Sequence, residues 1–551
     1  MNCRCLWLIL LLPLGSDLAA EDTLVVSVFT WQDPSPRGWN APYEGIVQFP
    51  ESSENWRKII LVKTLKCDSA TAGDVFPCGE WDYITETAVF DDHGDQEEKI
   101  QLISFVTPYG KRLELGGERG WTWEFDVTDY APVLTGTRRI VAGNNQELQD
   151  LKFLFIHGTP PRQVLSVENL YPPGLYKYEH LADDSVLKQR ELVLREDARG
   201  FKLKARISGH GHAGPHNCCE WDNKTHTYHL GSWEQVHWQT WKDCGFNPIY
   251  PQGGTWPFDR AGWCPGTATD EFDFELTPLV FPGDTLLFDY SIEPYRDNGE
   301  KDGEYRVSHQ LFSYGPPSFE INAAVVDIIA PSRADAHSRI NPICGRPIIK
   351  IRNQGRQDLR SARIRYGVQG GRLSRFDWIG SLSFMEEEQV ELPPPRWRGF
   401  KKDAVFIVTI ESPNGQLDPC PADDRMTSRI PAPIVLPKSF ILVIETNDQD
   451  RAKENACVIS DVDGGIHFEK LTFADSTEYR ELIILEPGCY QFRFLDRYED
   501  GIMPHWWYRG SQPDMVGISG RVRIMDEAGE ETLVNFPADF GQELFLNFRV
   551  D

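Results

Sequence analysis

An all-β fold is the architecture this sequence supports, on three observations. Helical periodicity is scarce along the whole chain. Runs in which apolar and polar residues alternate are frequent, and a period of two is what a strand with one buried face requires. Glycine and proline, 45 and 38 in number, interrupt those runs at short intervals, as in a β-sandwich or jelly roll. The 551 residues suffice for roughly three to four domains, each with its own core.

Taken from the N-terminus, Arg4, the apolar run Leu6 to Leu14 and the small residues Leu18-Ala19-Ala20 have the three parts of an export signal over residues 1–20. The run is too short to span a bilayer, and no later stretch is apolar enough to do so. A secreted or periplasmic protein without a membrane anchor is therefore expected, acting as a monomer. With 56 basic and 83 acidic residues the net charge is −27, which argues against nucleic acid as a partner, because phosphate binding needs clustered Lys and Arg.

Residues 21–160 read as a first β domain and 161–322 as a second. In 323–433, Ile349-Lys350-Ile351-Arg352 alternates apolar with basic residues, Asn353-Gln354-Gly355 makes a turn, and a further strand spans 362–368. That pattern suits a small immunoglobulin-like sandwich. Residues 434–551 form a fourth, accessory β domain, with a strand at Tyr490 to Phe494 and a hairpin over Gly520 to Phe536 that turns near Ala528-Gly529. Export implies disulfides. Local pairing suggests Cys67 with Cys78, Cys244 with Cys264, Cys344 with Cys420 and Cys457 with Cys489. Cys218 and Cys219 then remain, either as a vicinal bridge or as thiols.

The candidate chemistry centres on a repeated pentapeptide. Cys78-Gly79-Glu80-Trp81-Asp82 and Cys218-Cys219-Glu220-Trp221-Asp222 share Cys-x-Glu-Trp-Asp at a domain-sized interval. Read as extended strands, each copy places its Glu and Asp on one side and its Trp on the other, so two copies bring four carboxylates and the indoles of Trp81 and Trp221 to one cleft. Glu124 and Asp126 lie beside aromatics in the same way. Positioned carboxylates perform acid–base chemistry on a water or a leaving group, and exposed indoles stack on sugar rings; a single such carboxylate is otherwise a turn acceptor or simply solvated. Of Trp221, Trp233, Trp238, Trp241, Trp256 and Trp263, most are expected in the core.

Three further groups have a reading each. His210, His212 and His216 have metal-ligand chemistry, with the first two on one face of a strand, or else bond to backbone in a Gly-rich loop. Arg260 offers a rigid fork of donors for a substrate oxygen or a carboxylate, or a salt bridge to a neighbouring acid. Asp461-Val462-Asp463-Gly464 and Asp496 to Gly501 are oxygen-rich but lack the EF-hand pattern, and read as acidic β-turns.

Together these segments resemble the secreted peptide:N-glycosidase F family. The match is carried by Cys78 to Asp82, Trp123-Glu124-Phe125-Asp126-Val127-Thr128-Asp129, Ile207-Ser208-Gly209-His210-Gly211-His212-Ala213, Asp259 to Gly266, and the second Cys-x-Glu-Trp followed by Thr225-His226-Thr227. It covers roughly residues 22–320. The resemblance implies two adjacent eight-stranded jelly rolls forming the catalytic unit, followed here by two smaller β-sandwich domains. It implies hydrolysis, without metal or cofactor, of the amide joining a glycan's first N-acetylglucosamine to asparagine in N-glycoproteins or glycopeptides. Asp82 would activate water, Glu220 and Glu124 would bind and orient the substrate, Arg260 would position substrate or water, and His212 and Trp263 would line the cleft.

The sequence departs from the family at three positions. Asp222 stands where the family has a cysteine, leaving Cys218 beside Cys219. Tyr83 follows Asp82 in place of a basic residue, and His210 replaces Trp. A glycan-binding protein that has lost catalysis, and a metal hydrolase using His210, His212 and His216, are the rival readings.

Overall fold

The computed structural model describes residues 22–51, 55–71, 75–93, 96–212, 218–231, 234–294, 303–397 and 404–551. The expected export signal, His216 and Trp233 lie outside the described residues. Strands dominate; among the described residues the helices are the short segments Tyr178–Ala182 and Pro513–Val516 and several 3-10 turns. Among the described residues no helix is long and apolar enough to cross a membrane. The chain divides into two compact units, residues 319–434 and a discontinuous unit of Thr23–Ser318 with Val435–Asp551.

Two jelly rolls of identical strand order open the larger unit. The first pairs Thr23–Phe29, Leu148–His157, Trp56–Lys66 and Trp121–Asp126 in one sheet, and Tyr43–Gln48, Thr137–Ala142, Ile84–His93 and Gln96–Val106 in the other. In chain order this is 1-8-3-6 over 2-7-4-5, two nested Greek keys. The second repeats it with Gly174–Lys177, Glu304–Pro317, Gly200–His210 and Glu271–Glu275 over Arg190–Val193, Thr285–Ile292, Thr225–Leu230 and Glu234–Gln239, and adds Arg162–Asn169 at the edge of the first of these sheets.

The strand Gly200–His210 shows how the two rolls join. Its residues are buried on both faces up to Gly209. Phe201, Leu203, Ala205 and Ile207 enter the second roll's own core, while Lys202, Lys204 and Arg206 point the other way. Lys202 Nζ reaches Asp129 Oδ2 at 2.7 Å. Arg206 Nη2 donates to Tyr130 Oη at 2.7 Å and to the Leu102 carbonyl at 2.8 Å. Buried cations are tolerated when their donors are used; Glu271 and Asp273 of the second roll pair with these three cations, and Asp129, Tyr130 and Leu102 add partners from the first roll to Lys202 and Arg206. Backbone bonds add to the joint: Val106 N donates to the Thr267 carbonyl at 3.0 Å and Gly266 N to the Val106 carbonyl at 2.9 Å.

Residues 319–434 form a seven-stranded sandwich. A three-stranded sheet (Ala323–Ala330, Ile348–Asn353, Glu387–Glu391) faces a four-stranded one (Ser374–Leu382, Leu359–Val368, Val405–Glu411, Arg425–Arg429). This is the immunoglobulin-like arrangement, and Ile349 and Ile351 are fully buried between the sheets. In the C-terminal sandwich Tyr490, Phe492 and Phe494 point inward from one sheet against Phe440, Leu442 and Ile444 of the other. Arg521–Asp526 pairs with Thr532–Asn535 across a turn closed by Gly529 N to the Asp526 carbonyl.

Four sequence expectations change. The Cys67–Cys78 and Cys244–Cys264 bridges form, and Cys218–Cys219 is a vicinal bridge, but Cys420 and Cys457 remain thiols. The Cys344–Cys420 pairing fails because Cys344 precedes Ile348, which pairs with Ala330, whereas Cys420 lies beside Asp418, which caps the Ala323 amide at the other end of that strand. Seven residues of strand separate the ends by about 23 Å, far beyond disulfide reach. The Cys457–Cys489 pairing fails by register: Cys457 faces Phe494 in the core, and Cys489, an odd number of residues away, points to the opposite face. Neither Cys-x-Glu-Trp-Asp copy is a strand; both lie in turns. The strand carrying His210 ends there, so His210 and His212 do not share a strand face.

Candidate active site

Asp82 lies in the connection between Trp56–Lys66 and Ile84–His93 of the first roll. That connection is fastened at several points. The Cys67–Cys78 disulfide closes its start. Asn145 Nδ2 donates to the Trp81 carbonyl at 2.6 Å, and Tyr83 N donates to Thr107 Oγ1 at 3.0 Å. Gly79 adopts φ +69°, and a Cβ there would stand 2.4 Å from Asn145 Nδ2, so only glycine lets the loop close on Asn145.

Glu220 and Arg260 come from the second roll. Glu220 N donates to the Gly211 carbonyl and Ala261 N to the Glu220 carbonyl, both at 2.9 Å. The adjoining vicinal bridge is buried between two glycines: a Cβ on Gly209 would lie 1.8 Å from the Cys219 carbonyl oxygen, and one on Gly303 would lie 2.4 Å from Cys219 N. Arg260 is fully buried. Its Nε donates to Glu220 Oε1 at 3.1 Å, Nη1 to the Phe258 carbonyl at 2.5 Å, and Nη2 to Thr255 O and Oγ1 at 2.7 and 2.9 Å. The guanidinium lies between the rings of Trp221 (4.4 Å) and Trp263 (4.8 Å). Its position is thus fixed by backbone carbonyls, a carboxylate and two indoles.

The two rolls meet electrostatically at Asp82. Burial pushes its carboxyl up to about 7; Arg260 draws it down, Glu220 pushes it up, and a hydrogen bond from Tyr109 draws it down. Asp82 Oδ2 is buried without a hydrogen-bond partner. A carboxyl tuned to neutral pH with one oxygen unused can take a proton from a water molecule placed against it. Tyr109 ties the rolls together, with its N donating to Gln252 Oε1 at 3.0 Å and its Oη 3.4 Å from Thr255 Oγ1.

The other expected residues divide. Trp81 is 48 % exposed and presents an indole beside Asp82. Trp221 is partly buried, edge-on to Phe258 at 6.4 Å. Trp263 is buried behind Arg260, donating to the Gly209 carbonyl at 2.7 Å and stacking on His210 at 5.3 Å, so it supports the cleft without lining it. His210 accepts or donates at Ser208 Oγ, 2.8 Å away, and burial lowers its imidazole to about 3; it stays neutral at any physiological pH. His212 is exposed on the following loop. Asp222 pairs with Lys224 at 2.7 Å.

Glu124 lies on the strand face turned away from its aromatic neighbours. Trp121, Trp123 and Phe125 on its strand pack against Cys78, Phe105 and Leu115, under the Asp82 loop. Glu124 alternates to the opposite face and is exposed. The expectation that Glu124 shares the site came from its aromatic neighbours; the same alternation that buries them turns it away.

Sequence reasoning missed the wall behind the site. Phe258 lies 6.0 Å from His505 and 6.4 Å from Trp507 of the C-terminal sandwich. Asp539 is buried there, accepting from Trp256 Nε1 at 2.9 Å and Trp506 Nε1 at 3.0 Å while ion-paired with Arg112, whose guanidinium stacks 3.5 Å over Trp506. The Thr255–Phe258 segment that holds Arg260 is thereby braced from the C-terminal side. Nothing in the local sequence says that Tyr109, Trp506 and Trp507 approach the same segment.

Residues 177–312 match the family model described as peptide-N-glycosidase F, C terminal. The chain is 28 % identical over 315 residues to peptide-N(4)-(N-acetyl-beta-D-glucosaminyl)asparagine amidase F of Elizabethkingia miricola, covering 52 % of this chain and 82 % of that one. Among solved structures, PNGase F from Flavobacterium meningosepticum, titled a glycosylasparaginase, aligns with a TM-score of 0.46 and 25 % identity, covering 54 % of this chain and 96 % of that one. PNGF-II aligns with a TM-score of 0.39 and 16 % identity, covering 54 % and 66 % respectively. Over about half its length, then, this chain is similar to peptide:N-glycosidase F, and residues 177–312 match the model of that family's C-terminal domain.

Proposed function

We propose that this protein is a glycoamidase that hydrolyses the amide between the N-acetylglucosamine of an N-linked glycan and asparagine, leaving aspartate in the glycoprotein or glycopeptide. The homology to the amidase F of Elizabethkingia miricola supports the activity. The observation that carries the residue-level reading is Asp82: a half-buried residue whose carboxyl is raised to about 7, with a buried, unpartnered oxygen, under the influence of Glu220 and Arg260 from the neighbouring roll.

In this reading Asp82 takes a proton from water as its oxygen bonds to the amide carbon. The carbon–nitrogen bond then breaks, the proton passes to the departing nitrogen, and the released glycosylamine later loses ammonia. Glu220, held by Arg260, accepts hydrogen bonds from the sugar or amide and fixes the carbonyl against the water. Trp81 offers an apolar face for a sugar ring. Disulfides such as Cys67–Cys78, Cys218–Cys219 and Cys244–Cys264 fit an oxidising compartment, in line with export.

The test is a glycopeptide incubation read by mass spectrometry for conversion of Asn to Asp and for free glycan. The wild type is expected to release glycan and Asp82→Asn to release none while remaining folded. Undiminished release by Asp82→Asn would remove Asp82 from the chemistry. Glycan binding by the wild type without release would identify a binding protein instead.

A further inference from the structure

The C-terminal sandwich gathers three carboxylates at one point. Asp496 ends the strand Gly488–Asp496, Asp500 lies in the turn that follows, and Glu454 immediately precedes the strand Asn455–Asp461. Arg497 N donates to the Glu454 carbonyl at 3.1 Å, joining the two segments. One carboxylate oxygen from each of the three lies within 4.8 Å of the other two.

What distinguishes this cluster from an acidic turn is its unused oxygens. Asp496 is 2 % exposed. Its Oδ1 accepts from Tyr498 N at 3.0 Å, but Oδ2 is buried without a partner, as are Glu454 Oε1 and Asp500 Oδ1. Arg451 draws the Glu454 and Asp500 carboxyls down, and Lys453 draws Glu454 down, but Arg451 donates to the Met515 and Val516 carbonyls and Lys453 pairs with Asp450. Burial holds all three carboxyls above the usual carboxylate range, and repulsion from Asp500 adds to it at Glu454 and Asp496. Buried carboxylates with spare lone pairs are costly unless a cation supplies the missing charge.

We propose that Glu454, Asp496 and Asp500 bind a calcium ion. The donors are all oxygen, with no His or Cys among them, which favours a hard cation over zinc. Calcium accepts six to eight oxygens in irregular geometry, whereas magnesium demands a near-regular octahedron and keeps its waters. The ion would pin the turn that runs from Asp496 through Gly501 directly into the segment carrying Trp506 and Trp507. A second acidic group, Asp243, Asp259 and Glu499, is more exposed, and its carboxylates already accept from Gly245 N, Cys244 N and Gln542 Nε2; it carries no such proposal and serves as the control.

The experiment uses the full chain stripped with EDTA and titrated with calcium chloride, read by calorimetry and by thermal unfolding. One calcium is expected to bind with a Kd on the order of 10⁻⁴ M or tighter, as in extracellular modules, raising the Tm by about 2–4 °C at saturation. Asp496→Asn keeps the shape of a protonated carboxyl and so preserves the fold; it and Glu454→Gln should each weaken binding at least tenfold, while Asp243→Asn leaves it unchanged. No binding at about 10 mM calcium, binding unaltered in both Asp496→Asn and Glu454→Gln, or loss in Asp243→Asn alone would overturn the site. An equal response to magnesium would overturn its assignment to calcium.

Discussion

Arg260 Nε donates to Glu220 Oε1 at 3.1 Å from a guanidinium with no exposed surface. Glu220 belongs to the second Cys-x-Glu-Trp-Asp copy and Arg260 to the Asp-Arg-Ala-Gly stretch, so this contact aligns the two signature segments of the second roll. Because all three guanidinium nitrogens are used, lysine cannot replace them. Arg260→Lys and Arg260→Ala are expected to lower kcat/KM by about 10²-fold or more, measured on a fluorescent glycopeptide.

The raised carboxyl of Asp82 gives activity a defined pH dependence. Asp82 must be ionised to accept a proton, so kcat/KM should rise with pH through about 7 and level off above it. Stability runs the opposite way. Below the ordinary carboxyl range both folded and unfolded chains hold the proton. As pH rises towards 7 the unfolded chain releases it while the folded chain retains it, so Asp82 makes folding progressively less favourable. Asp82→Asn should therefore be more stable than wild type at pH 8, by on the order of 1–3 kcal/mol, with the difference vanishing near pH 4. Chemical unfolding at the two pH values measures it.

The placement of Glu124 yields a complementary expectation. Since it alternates away from the Asp82 loop on an exposed strand face, Glu124→Gln should leave kcat/KM within about twofold of wild type and stability within about 0.5 kcal/mol. A loss comparable to that of Asp82→Asn in the same assay would return Glu124 to the site.

Gly79 sets the shape of the loop that carries Asp82. With φ +69° and Asn145 filling the space of a side chain, Gly79→Ala should cost about 1–3 kcal/mol of stability and lower kcat more than tenfold by shifting Asp82. Asn145→Ala removes the hydrogen bond to the Trp81 carbonyl without that clash, so it should affect kcat with a smaller loss of stability. Steady-state kinetics together with thermal unfolding separates the two.

Asp539 holds the C-terminal sandwich against the wall of the site. Asp539→Ala strands Arg112 and the indole N–H groups of Trp256 and Trp506, and should lower stability by about 2–3 kcal/mol as read by denaturant unfolding.

How much of this was legible follows from the range of each signal. Strand periodicity is local, so the β-sandwiches, the Gly520–Phe536 hairpin and the Ile349/Ile351 core positions could be read directly. The Cys67–Cys78 and Cys244–Cys264 bridges close short loops and were equally accessible. The pairings proposed for Cys344 and Cys457 failed because strand register and strand ends, which are long-range properties, decide them. Asp82, Glu220 and Arg260 stood in distinctive motifs, and the rolls bring them together. Glu124 stood in an equally distinctive motif but on the wrong side of its strand. Tyr109, Asn145 and Asp539 act through partners far away in sequence, and no local pattern marks them.

The interruption of the larger unit by residues 319–434 bears on the order in which the molecule can be made. A ribosome delivers both jelly rolls long before the residues that cover Trp256 exist. Until Asp539 emerges, the Trp256 indole N–H and the Arg112 guanidinium lack the carboxylate they share, and nascent chains stalled or cleaved after the inserted sandwich would display them as a sticky surface for chaperones or for one another.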